Sequence, residues 1–148
     1  MRGLTGFRKL ARVNTNGAKT LVKLLRFRTQ MGFDDYQTAT HFGLKPESIT
    51  RWRLGLSRPW SCTTLKVELV MDGVDQASLR ESRVPQVRRR FFRTVRTDLG
   101  LTAEAMGRLL GLSGRSVVAF ERGEEKLKAV FRYVFWNRVA VSDVSDVD

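Results

Sequence analysis

Apolar side chains along this chain recur every three or four positions rather than every second one, the spacing that gathers them on one face of a helix. Met106, Leu109 and Leu110 follow it, as do Val87, Phe91, Phe92 and Val95, and again Leu127, Val130, Phe131, Val134 and Phe135. Leu65, Leu69 and Val70 make another such set, in a stretch that opens with Ser61 or Thr63 as N-cap and stops at Gly73. "GAKTLVKLLRFRTQMG" reads as the first helix of a folded unit. The expected fold class is all-α.

The pattern also repeats. Sliding the chain by 68 residues lays "RTQMGFDDYQTATHFGLKPESITRWRLG" (28–55) over "RTDLGLTAEAMGRLLGLSGRSVVAFERG" (96–123) without a gap. Arg28 meets Arg96, Gly32 meets Gly100, Gly43 meets Gly111, Leu44 meets Leu112, Ser48 meets Ser116 and Gly55 meets Gly123. Apolar positions coincide as well: Phe42 with Leu110, Ile49 with Val117, Trp52 with Phe120. A repeat of this kind decides domain organisation before any single element does. It predicts two tandem small helical bundles: 1–78, with a helix-turn-helix near 35–54, and 84–142, with one near 103–122. Residues 143–148 form an acidic tail, and the boundary falls between Asp75 and Pro85.

A helix-turn-helix explains the matched positions. Two helices that cross steeply approach closely, so the first needs a small residue at its middle, Ala39 or Gly107. The turn needs positive φ, supplied by Gly43 and Gly111. Asp34 and Thr102 are N-cap signals for the helix before the turn, and Pro46 suits the first position of the helix after it. Leu44, Ile49 and Trp52 then pin the helix at 46–53, as Leu112, Val117 and Phe120 pin that at 114–121. Glu47, Ser48, Thr50 and Arg51 are left outward in one copy, and Arg115, Ser116, Val118 and Ala119 in the other.

On these residues both copies resemble the phage repressor and Cro type of helix-turn-helix domain, "LTAEAMGRLLGLSGRSVVAFERG" more closely than "FDDYQTATHFGLKPESITRWRLG". The family often pairs an arginine near the end of its first helix with a glutamate at the end of its third, and Arg96 and Glu121 occupy those places. The first copy departs from this. It keeps Arg28 but has Arg53 where the glutamate would be, two cations that repel in the free protein and suit a phosphate between them. Thr38 also stands where the family prefers a larger apolar residue.

Charge sharpens the expectation. The 148 residues carry 27 Lys and Arg against 15 Asp and Glu, a net +12, and 20 of the cations are arginine. That excess points to a polyanionic partner, although charge alone does not name the nucleic acid and leaves RNA binding and non-specific packaging open. No acid precedes Asp34. The arginine run 88, 89, 90 and 93 fits either a solvated helix face or backbone contact. One cysteine and one histidine exclude an internal disulfide and an all-protein Cys/His zinc site. No clustered carboxylates or activated nucleophile suggest an enzyme, and no cofactor is implied. No apolar run reaches membrane-span length, so a cytoplasmic protein with no membrane partner is expected.

The resemblance thus implies a sequence-specific double-stranded DNA-binding regulator, commonly a repressor in this family, with third helices of one or both units in the major groove. Arg51 and Arg115 are the arginines placed to take guanine O6 and N7. Gln37, Lys45, Arg53, Arg58, Ser113 and Arg122 are the phosphate candidates, which fix register without reading sequence. The competing reading is a phage accessory or antitoxin-like protein, one unit on DNA and the other mediating dimerisation or docking. The apolar C-terminal helix, near 125–140, is either buried within the chain or a homodimer surface.

Overall fold

The computed structural model describes residues 12–140. Residues 1–11 of the expected first domain, 141–142 of the second and the acidic tail at 143–148 lie outside the described residues. Among the described residues there are eight α-helices, one 3-10 turn and one π-helical segment, and no strand. None of these helices is long and apolar enough to cross a membrane. Two compact units divide the described residues, Asn14–Ala77 and a second that runs from Ser78 and takes in Arg12 and Val13. Val13 belongs with the second because its amide donates to the Arg108 carbonyl at 3.2 Å.

In the first unit, α1 is Gly17–Met31, capped by Asn16, whose side chain accepts the Ala18 and Lys19 amides. Helix α2 is Asp35–Phe42 and opens on a reciprocal cap: the Asp34 carboxylate accepts the Gln37 amide, and the Gln37 side chain accepts that of Asp34. Helix α3 is Pro46–Arg53, with proline where a missing N–H costs nothing. Helix α4 is Ser61–Met71; its N-cap is Trp60, without a side-chain bond, so neither Ser61 nor Thr63 caps it.

Leu24, Ala39, Phe42, Ile49, Trp52 and Val67 form the buried cluster, with Leu44, Val70 and Met71 packed against it. Each of the larger side chains contributes about 1.5–3 kcal/mol by leaving water. Leu65 and Leu69 are buried too. A polar tie joins α1 to α4: buried Thr20 donates to Glu68 at 2.6 Å, with Asn14 and Lys23 donating to the same carboxylate. Burial pushes the Glu68 carboxyl up, but these donors outweigh it and its pKa lies below the ordinary value.

The second unit contains α5 (Arg89–Asp98), α6 (Ala103–Leu110), α7 (Gly114–Glu121) and α8 (Ala129–Val134), which continues into a π-helical segment, Phe135–Ala140. Phe92 meets Phe120 edge-on and stacks on Phe135, at ring distances of 5.1 and 5.0 Å. Val87, Val95, Met106, Leu110, Val117, Val130 and Val134 complete the interior.

Two expectations for this unit are corrected. The last helix starts at Ala129, not near 125, and Leu127 is buried ahead of it. Phe91 faces outward and stacks on Trp136 at 5.3 Å. Arg89 is exposed, and its Nε donates to the Phe120 carbonyl at 3.0 Å. Arg132, to which the sequence assigned no role, is 1% exposed. Its guanidinium donates to the carbonyls of Leu127 (2.8 Å), Glu81 (2.8 Å) and Val84 (3.3 Å), so a buried charge is held mainly by backbone dipoles.

The repeat extends to individual backbone bonds. Leu44 donates to Ala39 and Leu112 to Gly107, Phe33 to Arg28 and Leu101 to Arg96, Leu56 to Arg51 and Glu124 to Ala119. Each pair is offset by the same 68 residues. Gly43 and Gly111 end α2 and α6 in the left-handed region, at φ 67° and 87°, where other residues are strained. Gly107 is required for a different reason: a Cβ there would sit 2.5 Å from the Leu112 carbonyl oxygen and 3.1 Å from the Ser113 carbonyl carbon. Gly107→Ala is therefore expected to cost about 1–3 kcal/mol in urea unfolding, because backbone rather than a side-chain end must move. The matched Ala39→Gly is expected to cost about 1 kcal/mol. An unchanged midpoint for Gly107→Ala would contradict the close approach.

Candidate nucleic-acid interface

Helix α3 has two sides of opposite character. Ile49 and Trp52 are buried beneath it, while Glu47 and Arg51, one turn apart, are exposed. Ser48 is half-buried at the edge of that face. Lys45 and Arg58 are exposed at its two flanks. Gln37 is exposed as well, although its Oε1 is engaged with the Asp34 amide at 2.9 Å. Thr50 does not belong to the outward set: it is half-buried and its hydroxyl donates to Asp35 Oδ2 at 2.7 Å.

Asp35 organises the charges here. Its carboxylate takes Arg28 Nε at 2.9 Å, Arg53 Nη2 at 3.0 Å and the Thr50 hydroxyl. The expected repulsion between Arg28 and Arg53 is thus corrected, since an acid lies between them without any phosphate. Asp35 is only 17% exposed at its side chain, so water screens the pairs incompletely. The hydrogen bond from Arg53, then that from Thr50, outweigh burial and, with Arg28, hold its carboxyl down at about 2, against an ordinary 3.8. Arg53 is raised in turn by the same bond. Its Nε and Nη2 face Asp35 and its side chain is 39% exposed, which keeps its outer edge available to an anion.

The second unit solves the same problem with a single closed pair. Arg96 grips Glu121 bidentately at 2.7 and 2.9 Å and donates its remaining nitrogen to the Leu101 carbonyl. Hydrogen bonding to Glu121 raises the Arg96 pKa. Of the candidates on α7, Arg115 is exposed and Ser116 and Val118 are half-buried. Ala119 is 8% exposed and is corrected to an interior position, whereas its partner in the repeat, Arg51, is outward. Arg122 and Ser113 are exposed, but the Ser113 hydroxyl accepts the Ser116 amide at 3.1 Å and serves as the cap of α7. Gly114 is pressed on α6, where a Cβ would meet Glu104 Cγ at 2.7 Å and its Cα at 3.1 Å.

Sequence reasoning missed Asp35, whose signal was faint: an acid just inside the helix that Asp34 caps, where the second copy has Ala103. Of the structural residues, Ala39, Gly43, Trp52, Gly107, Gly111, Phe120 and Glu121 lie in the turn or its two helices, and Arg96 reaches Glu121 from α5. No family model, no curated protein and no solved structure matches the chain.

Because the folded carboxyl of Asp35 is depressed, its stabilisation is complete above the ordinary value near 3.8 and disappears as pH falls toward about 2. Thermal unfolding followed from pH 5 to pH 2 should show this loss in the wild-type chain, and Asp35→Asn should flatten that part of the profile. At neutral pH the variant should be less stable by about 2 kcal/mol. An Asp35→Asn variant with the wild-type acid slope would show that the carboxylate does not hold the two arginines.

Proposed function

We propose that this chain is a sequence-specific double-stranded DNA-binding regulator of prokaryotic or phage type, acting as a repressor, in which α2–α3 and α6–α7 are helix-turn-helix pairs. The observation that carries the reading is the two-sidedness of α3: apolar support from Ile49 and Trp52 beneath an exposed Glu47 and Arg51, flanked by Lys45, Arg53 and Arg58. A short helix held proud of its unit in this way fits a major groove, where Arg51 would donate two bonds to guanine. Glu47 would accept from cytosine N4 or orient Arg51. Lys45, Arg53 and Arg58 would neutralise phosphates, each steepening the salt dependence.

The two units are unequal in this respect, which supports a division of labour. Helix α7 offers Arg115 but has Ala119 buried and Val118 half-buried, and Arg96 is neutralised by Glu121. The first unit therefore reads sequence, and the second adds backbone contacts through Arg115, Arg122 and Arg90 or serves as the docking half of an accessory or antitoxin-like protein. A homodimer through the C-terminal helix would have to use half-buried Tyr133 and Trp136, since Val130, Phe131, Val134 and Phe135 are spent inside their own unit.

Selection of bound duplex from a random pool tests the reading directly. Arg51→Ala should lose about 1–3 kcal/mol of discrimination at one base position of the selected site. Lys45→Gln should weaken selected and random duplex alike and lower the slope of log affinity against log salt by about 0.9. Arg115→Ala should change base preference little. Wild-type protein that holds selected and random duplex equally at every salt concentration would overturn sequence-specific binding.

A further inference from the structure

Just past α3 the chain displays large apolar side chains on a backbone that is firmly held. Leu54, Leu56 and Trp60 are 58%, 62% and 83% exposed. Yet Leu54 donates to the Thr50 carbonyl at 3.0 Å, Leu56 to that of Arg51 at 2.8 Å, and the Trp60 carbonyl accepts from Thr64 at 2.8 Å as α4 begins. Pro59 is buried, its carbonyl oxygen 2.9 Å from where a Cβ on Gly17 would lie. Single exposed apolar residues are ordinary; three within seven residues, on a loop fixed at both ends, are not.

Charge decides what covers them. Between Glu47 and Glu68 the chain has no acid, and Arg51, Arg53 and Arg58 border or interrupt the apolar set. A second copy of the chain would bring like charges together at this surface, whereas a nucleic acid offers phosphates to the arginines and sugars and base faces to the apolar groups.

We propose that the loop 54–60 is a second DNA contact, in which Arg58 holds the phosphates that border the minor groove, beside the major groove held by α3, while Leu56 and Trp60 press against the sugars and into a base step. The inference rests on the reading of α3 given above. A narrow minor groove concentrates negative potential and draws arginine, and an apolar wedge partly unstacks a step and bends the duplex. Flexible pyrimidine–purine steps yield most easily, so the selected site should carry TA or CA/TG in its flank without any direct hydrogen bond reading it.

The probe is the duplex selected by the wild-type chain, with fluorescence anisotropy over a salt series and donor–acceptor labels at the duplex ends to report bending. Trp60→Ala, and independently Leu56→Ser, are checked for wild-type helix content by circular dichroism. Each should weaken binding about tenfold, leave the salt slope unchanged because no phosphate contact is lost, and reduce the bend. Wild-type affinity and bend in both variants, with Arg51→Ala still impaired, would overturn the loop contact alone. A wild-type chain that binds no duplex overturns the parent reading and this inference with it. If sedimentation shows that either substitution dissociates an oligomer while the monomer's DNA affinity stays wild-type, the patch is a protein interface and the inference is wrong.

Discussion

Two helices can share a backbone contact at their crossing only if almost no side chain stands between them. In the second unit that condition is met by Gly107, whose carbonyl accepts the Leu112 amide at 2.7 Å and whose missing Cβ leaves room for the Leu112 oxygen. In the first, Ala39 accepts the Leu44 amide at 2.8 Å. The left-handed glycine between these bonded residues turns the chain within three positions. Once that turn is fixed, Ile49 and Trp52, or Val117 and Phe120, have one place to go, and the residues between them face away. The exposed face of α3 is thus a consequence of a packing distance, not of any preference of the exposed residues themselves.

The two units hold the outer helix to the rest of the bundle with different electrostatics. Arg96 and Glu121 form a closed pair, one cation to one acid, with little of either exposed. In the first unit one carboxylate serves two guanidiniums and a hydroxyl, and the set retains a net positive charge at the rim of α3. That set therefore carries one positive charge in excess of its acid.

Much of this was legible from residue spacing. Helical periodicity, the paired glycines and the apolar anchors placed the helices at 46–53 and 114–121, and both appear as Pro46–Arg53 and Gly114–Glu121. Arg96 and Glu121 were legible only through resemblance, since nothing in their local sequence says that they touch across 25 residues. What stayed hidden depends on tertiary contact. Arg132 looks like any surface cation until the carbonyls of Glu81, Val84 and Leu127 are seen to converge on it. Thr50 loses its outward role to a carboxylate 15 residues away. Ala119 is interior because its small side chain sits low on the helix, where the repeat-matched Arg51 reaches past the same position into water.

The first unit seats its acid at the start of α2, whereas the second seats it at the end of α7. Aligned position by position, Arg53 stands against Glu121 as a mismatch, although in both units one carboxylate links the arginine of the first helix to the outer helix. The same linkage can thus be carried from either of two positions, one on each helix of the pair, and a pattern that looks broken along the sequence is closed in space.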